Sequence, residues 1–105
     1  MNSKAIIKYL SCLINQIYKI LPMAEDKNED TPDYIKGLLR EITGSHEFIK
    51  IVDNDYTILR VISLLYYWQN RVLIEPTYLL RRDIFKAISL CKTMQNNITE
   101  SDTSV

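Results

Sequence analysis

The chain is poor in the two residues that build tight turns. Its 105 residues include only two glycines and three prolines. A protein made of many short strands needs a turn signal every few residues, so this shortage excludes an all-β fold and favours helices. The length is close to the commonest domain size and supports one core. The sequence therefore predicts a single all-α domain over residues 1–95, an antiparallel four-helix bundle with one additional short helix, followed by a polar flexible tail over 96–105.

The residues of catalytic and metal chemistry are equally scarce. His46 is the only histidine, and no serine or cysteine around it has the sequence context of a nucleophile. One histidine and two distant cysteines cannot supply the ligand spacing of a zinc site. Cys12 and Cys91 lie in apolar helical stretches, which predicts two buried, reduced thiols, with a disulfide between the first and last helices as the alternative. We therefore predict no enzymatic activity, no metal and no cofactor.

Net charge is absent as well, since thirteen basic residues balance thirteen acidic ones. A balanced total provides no general attraction to polyanions and so disfavours nucleic acid as a partner. The charges are nevertheless unevenly distributed along the chain. Residues 22–31 hold four acids and one lysine, whereas residues 71–92 hold five bases and two acids.

No hydrophobic run is long enough to cross a membrane. The uncharged stretch Val61–Asn70 has only ten residues between Arg60 and Arg71, whereas a bilayer needs about 20 apolar residues. This stretch is apolar on nearly every side, which predicts a central helix enclosed by the others. The N-terminal residues lack the layout of a signal peptide, so we expect a cytoplasmic protein.

The spacing of apolar residues predicts where the helices lie. Pro22 is expected to stop the first helix and Gly44 the second. Thr31 is expected to cap the second helix, and Asp53 or Asp55 the third. A β-branched run makes residues 45–52 ambiguous, but an extended segment would have no strand partner, so a short helix is preferred. The predicted helices span residues 3–21, 31–44, 45–52, 55–70 and 76–95.

Two connectors of opposite character join these helices. Residues 22–31 form a polar, acidic connector that is long for a helical bundle and expected to be mobile. Residues 71–75 form a short connector that is expected to hide its apolar side chains, and Pro76 suits the first position of the last helix.

Three consecutive aromatic residues, Tyr66, Tyr67 and Trp68, lie near the end of the uncharged stretch. Successive helical residues are about 100° apart, so the three rings cannot all face one core. The simplest prediction places Tyr66 and Trp68 in the core and leaves Tyr67 partly exposed. The alternatives are an aromatic hot spot for a partner or a seam between two copies of the chain.

The strongest candidate for a functional surface is a basic strip on the outer side of the last helix. It consists of Arg71, Arg81, Arg82, Lys86 and Lys92. Together with Tyr67, the basic strip makes the predicted partner-binding site. Nucleic-acid phosphates, an anionic membrane surface or an acidic protein patch could each bind there, and a merely solvated face is the alternative. Nucleic acid is the least favoured, because the connector at 71–75 is too apolar for a helix-turn-helix turn.

The order of these features resembles the immunity proteins of class II bacteriocins. The similarity is carried by the helix Ile62-Ser-Leu-Leu-Tyr-Tyr-Trp68, the connector Asn70-Arg-Val-Leu-Ile74 and the start of the last helix, Glu75-Pro-Thr-Tyr-Leu-Leu80. The resemblance implies a cytoplasmic helical bundle that protects a producing cell from its own pore-forming peptide by interacting with a membrane permease complex. It also implies that the C-terminal half, including the basic strip and the residues after Asn96, recognises the target. The short helix at 45–52 would be an addition to the family's pattern.

Other functions are consistent with the same residues. One is a small regulator or inhibitor from a phage or mobile element that binds a host protein through the basic strip. A less favoured one is a nucleic-acid-binding regulator. A structural bundle that forms a homodimer through Tyr67 and Trp68 is a further alternative.

Overall fold

Helices account for most of the chain in the computed structural model, which describes the backbone of residues 3–52 and 56–103 and the side chains of residues 4–45 and 56–98. The helices are α1 (Ser3–Tyr18), α2 (Ile20–Glu25), α3 (Thr31–Val52), α4 (Thr57–Gln69) and α5 (Thr77–Thr103). The described ranges contain no strand. Because α2 continues the course of α1, the fold is a compact all-α globule of four helical arms, which confirms the predicted bundle.

The arms are arranged so that the first and last helices are neighbours. α5 packs against α1 on one side and α4 on the other, and α4 packs against α3. The Gln95 amide near the end of α5 donates a hydrogen bond of 2.9 Å to the Ile7 carbonyl near the start of α1. These two helices therefore run in opposite directions.

The break between α1 and α2 follows from Pro22. Proline lacks an N–H group, and its ring collides with the carbonyl four residues earlier. That carbonyl belongs to Tyr18, the last residue of α1. Lys19 keeps right-handed helical angles, so the chain resumes as α2. Pro22 therefore interrupts the first arm at residue 18, and the prediction that it stops the helix at residue 21 is wrong.

A tight turn replaces most of the long acidic connector that the sequence predicts. Lys27 adopts a left-handed conformation with φ of 54°. Its N–H donates to the Ala24 carbonyl, and the Asn28 N–H donates to the Met23 carbonyl. These two bonds form a Schellman motif that ends α2. The Thr31 hydroxyl donates to the Asn28 carbonyl at 2.6 Å, so Thr31 ties α3 to this turn in place of the predicted cap.

α3 is one continuous helix through both glycines of the chain. A glycine that ends a helix adopts left-handed angles, but neither Gly37 nor Gly44 has a positive φ. The predicted stop at Gly44 is therefore wrong. The segment predicted as a short helix at 45–52 is helical, as expected, but it is the C-terminal part of α3.

The remaining helix boundaries differ from prediction by small amounts. The predicted caps Asp53 and Asp55 lie outside the described residues, and Tyr56 occupies the N-cap position of α4 with φ of 55°. α5 begins at Thr77, one residue after the predicted start at Pro76, and continues past the predicted end at residue 95 to Thr103. Ile98 is buried in this extension, so the core reaches into the segment predicted as a tail, whose flexibility stays a prediction.

The core confirms the predicted inward faces of the first, second and last helices. Their apolar residues recur every three or four positions and form one buried cluster, as an amphipathic helix requires. The predicted inward residues that are buried are Ile6, Leu10, Leu13, Ile17, Leu21, Ile35, Leu38, Leu39, Ile42, Leu80, Ile84, Ala87, Ile88, Cys91 and Met94.

Two predictions of burial outside α4 are wrong. Cys12 is exposed, because it lies on the side of α1 opposite the buried stripe, whereas Cys91 is fully buried and both thiols are free. Burial raises the pKa of Cys91 to about 12. In the connector between α4 and α5, Val72 is buried but Leu73 is exposed and Ile74 is 80% exposed. This connector therefore presents apolar side chains that the sequence predicts to be hidden.

A candidate partner-binding surface

α4 is an outer helix with an exposed aromatic face, which corrects the prediction of an enclosed central helix. It packs mainly against α3 and α5, so the side that faces away from both helices is open to solvent. Trp68 is only 2% exposed and Tyr67 is 43% exposed, as predicted. Tyr66, which was predicted to lie in the core, is 69% exposed. Large exposed apolar faces of this kind on a small domain commonly mark an interaction site.

A groove of about 480 Å³ lies between α4 and α5. Its floor is apolar and its rim is charged, which is the usual composition of a protein-binding groove. Both helices contribute to each part. The floor contains Leu64, Leu79 and Leu90, and the rim contains Arg60, Glu75, Arg82, Asp83 and Lys86. We refer to it as the α4–α5 groove.

Tyr67 stands at one end of the α4–α5 groove and is held on several sides. Its hydroxyl lies 3.1 Å from each carboxylate oxygen of Glu75, to which it donates. The guanidinium carbon of Arg71 lies 4.3 Å from the centroid of the Tyr67 ring, a cation–π distance. The ring also meets Trp68 edge-on, with centroids 5.4 Å apart. Tyr67 is therefore ordered before any partner arrives.

Asp83 connects the floor of the α4–α5 groove to its rim. Its Oδ2 accepts a hydrogen bond of 2.8 Å from the indole Nε1–H of Trp68. Its Oδ1 accepts a second bond of 3.1 Å from Nε of Arg82. The first bond satisfies a buried donor that would otherwise destabilise the fold. Asp83 thereby joins α4 to α5 beneath the exposed aromatic rings.

The opposite end of the α4–α5 groove carries the cations Arg60 and Lys86. Among the described side chains, no carboxylate lies within ion-pair distance of Arg60 or Lys86. Arg71 and Arg82, in contrast, are paired with Glu75 and Asp83. An unpaired cation beside an apolar floor retains its attraction for a carboxylate on another molecule.

The structure brings together only part of the predicted basic strip. Arg82 and Lys86 line the α4–α5 groove, and Arg71 contacts it through the Tyr67 ring. These three residues and Tyr67 therefore belong to one surface.

Arg81 and Lys92 lie on a different side of α5. The Nη2 group of Arg81 donates to Oε1 of Glu25 at 2.9 Å, beside the exposed ring pair of Tyr18 and Phe85. Lys92 is exposed and lies about three turns along α5 from Arg81, on the same side. The two residues do not line the α4–α5 groove.

Sequence reasoning missed Arg60, Leu64 and Asp83. Arg60 was treated as the boundary of the uncharged stretch, but Arg60, Leu64 and Tyr67 are spaced by four and three residues and so share one helical face. That spacing could have indicated a charged continuation of the aromatic surface. The bond between Asp83 and Trp68 joins two helices and has no signal in the local sequence.

The part of the chain that the structure describes lacks two further kinds of feature. That part holds no group of three or more His, Cys, Asp or Glu side chains placed to bind a metal ion. Nor does any helix there combine the length and apolar character needed to span a bilayer. The side chain of His46 lies outside the described side chains.

Comparisons with protein-family models, with curated proteins and with solved structures give no match to this chain. The resemblance to bacteriocin immunity proteins therefore depends on the sequence pattern alone.

Proposed function

We propose that this protein has no catalytic role and acts by binding another protein through the α4–α5 groove. The observation that supports the proposal is the combination, within one groove, of two contrasting ends. One is an aromatic end held by contacts within the chain, and the other is a cationic end whose charges have no acidic partner among the described side chains. Tyr67 and Trp68 form the aromatic end, and Arg60 and Lys86 form the cationic end.

The chemistry of the groove suits protein recognition. Trp, Tyr and Arg contribute most of the binding free energy in many interfaces, because they bury large areas in well-packed pockets. Binding is weakened when side chains must first be immobilised, and Tyr67 is already held by Glu75 and Arg71. A suitable partner would place an apolar side chain on the leucine floor and a carboxylate near Arg60 and Lys86.

In its most specific form, the proposed function is immunity to a class II bacteriocin. The partner would then be the membrane permease complex that the bacteriocin targets, approached from the cytoplasm and with peripheral contact to the membrane. Two observations support this form. The groove lies between the two helices that carry the sequence resemblance, and the continuity of α3 to Val52 removes the additional helix that departs from the family's pattern.

The test is expression of the gene in a bacteriocin-sensitive host that is challenged with a panel of class II bacteriocins. The groove variant carries Arg60→Glu and Lys86→Glu, which reverse charges that have no partner among the described residues. Reversal at Arg81 or Arg82 is less informative, because each is paired with an acid of this chain. A matched control carries Lys4→Glu and Lys8→Glu, two exposed charges on α1.

Protection against one peptide that disappears in the groove variant and persists in the control would support immunity through this groove. Protection that survives the groove variant would place the recognition surface elsewhere. Absence of protection by the folded protein across the panel would refute the immunity form.

The more general proposal has its own test. A photo-reactive amino acid at Ser63, on the rim of the α4–α5 groove, should give a discrete crosslinked protein in the native host. The crosslink should be lost in the groove variant. A crosslink that is absent, or that is unaffected by that variant, would contradict binding at this groove.

A further inference from the structure

The other side of α4 carries a second groove of about 500 Å³, formed with α3. We refer to it as the α3–α4 groove. Lys36, Leu39 and Arg40 line it from α3, and Ile62 and Tyr66 line it from α4. None of these residues belongs to the predicted basic strip or to the α4–α5 groove.

The charge of the α3–α4 groove has one sign. Lys36 and Arg40 are four residues apart on α3, so their side chains are neighbours one turn apart, with about 6 Å between their Cβ atoms. No acidic residue lines the groove, and within the described part of the chain neither cation has an ion-pair partner. The α4–α5 groove differs, because Glu75 and Asp83 neutralise part of its rim.

The inner surface of the α3–α4 groove is apolar and open. Leu39 is almost completely buried and forms part of the core surface, Ile62 is half-buried, and the Tyr66 ring is mostly exposed. The lining residues on α3 extend from Lys36 to Thr43, which is about 10 Å or two helical turns. A concave surface between two helices, with apolar residues along its length, is the shape that accepts a third, amphipathic helix.

We propose that the α3–α4 groove binds an acidic amphipathic helix of a partner protein. Apolar side chains of that helix contact Leu39, Ile62 and Tyr66, and carboxylates one turn apart contact Lys36 and Arg40. Charge complementarity determines the sign of the partner, because both unpaired charges at the groove are positive. The inference does not depend on binding at the α4–α5 groove.

A nucleic acid is a poorer fit to the same groove. Binding to a phosphate backbone gains affinity from many cations spread over a broad surface, whereas this groove offers two cations beside apolar side chains, on a chain with no net charge. An amphipathic helix would cover the apolar surfaces of Leu39, Ile62 and Tyr66, which a phosphate backbone would leave exposed to water.

A random-peptide library displayed on phage provides an unbiased test with the full chain as the target. The peptides that are enriched should carry two acids three or four residues apart, with apolar residues at helical spacing between them. The strongest binder is then synthesised, and its affinity is measured by fluorescence anisotropy. Lys36→Glu with Arg40→Glu should weaken its binding about tenfold, whereas the control with Lys4→Glu and Lys8→Glu should change it by less than about twofold.

Several results would overturn the inference. They are enrichment of basic or uncharged peptides, binding unaffected by the Lys36 and Arg40 variant, or loss of binding only in the variant at Arg60 and Lys86. Retention of duplex DNA that is lost in the Lys36 and Arg40 variant would also overturn it, because the ligand would then be phosphate. Circular dichroism checks that each variant is folded, and Lys36→Gln with Arg40→Gln provides the test if charge reversal disturbs α3.

Discussion

Replacing Gly44 with alanine should stabilise the protein, although a glycine near the end of a predicted helix usually marks its stop. Gly44 lies inside α3, has no positive φ, and has open space where a Cβ atom would be added. Glycine is about 1 kcal/mol less favourable than alanine in a helix interior, because the unfolded glycine has more conformational freedom. We therefore expect Gly44→Ala to raise the free energy of unfolding by about 1 kcal/mol and the Tm by about 4 °C.

The sign of this change distinguishes a continuous α3 from a helix that ends at Gly44. If Gly44 had a left-handed conformation, alanine at this position would instead lower the free energy of unfolding by about 1–2 kcal/mol. Gly37→Ala is the matched control, because Gly37 is helical whether α3 is continuous or ends at Gly44, and it also faces open space. Urea unfolding followed by circular dichroism measures both variants. Stabilisation by Gly37→Ala together with destabilisation by Gly44→Ala would refute a continuous α3.

Four other predictions follow from single side chains. The Tyr9 hydroxyl is buried and has no hydrogen-bond partner among the described residues, so Tyr9→Phe should leave the free energy of unfolding unchanged or raise it. Tyr34→Phe removes a bond of 2.8 Å to a helix carbonyl and should lower the free energy of unfolding by about 1 kcal/mol in denaturant unfolding. An aromatic disulfide reagent should modify Cys12 in the folded protein and Cys91 only after unfolding. Burial raises the pKa of Cys91 from 9.0 to about 12, so between these pH values the thiol ionises in the unfolded chain but not in the folded one, and the free energy of unfolding falls. Unfolding measured across this pH range should therefore show a smaller fall in Cys91→Ala than in the natural chain. Lys27→Gly should raise the Tm, because Lys27 has a left-handed conformation that glycine adopts without strain; an unchanged or lower Tm would contradict this.

The environment of Tyr9 explains why its substitution is informative. Burial raises the pKa of the Tyr9 hydroxyl, and the nearby Ser45 side chain partly offsets that rise. Ser45 nevertheless makes no hydrogen bond of ordinary geometry with it. The phenol is therefore a buried polar group whose loss of hydration is only partly compensated, and removing its oxygen should relieve the remaining penalty. A loss of stability greater than that of Tyr34→Phe would show that the hydroxyl has a strong partner.

Much of the fold could be predicted, because the spacing of apolar residues in an amphipathic helix indicates which face is buried. The stripe of Ile6, Leu10 and Leu13 is separated by polar residues, so it indicates both the helix and its inward side. The position at which a proline breaks a helix is harder to predict from the sequence. Pro22 acts on the carbonyl of a residue four positions earlier, so the break lies at Tyr18, and the chain can resume the helix when the next residues pack well.

The exposed side of α4 is hard to predict, because residues 61–70 carry no charge that would mark the side that meets water. Hydropathy cannot separate Tyr66 from Trp68 when the difference depends on which neighbours the helix has. The same limit applies to the candidate site. The charge pattern of one helix predicts that Lys86 belongs to a basic surface. Arg60 lies 26 positions earlier, and only tertiary packing brings it to the same groove.

The contact between α1 and α5 also affects the order in which the protein can fold. The Gln95 side chain bonds to Ile7 and Ser11, which are 88 and 84 positions earlier in the chain. At about 5–20 residues per second of synthesis, the apolar stripe of α1 waits roughly 4 to 17 s for the helix that covers it. During that interval α3 and α4 can form a hairpin from nearby residues, whereas α1 is exposed to chaperones and to other nascent chains. Closure of the core is therefore a late event in biosynthesis, and variants that weaken α5 should increase aggregation of newly made chains more than their effect on the finished protein suggests.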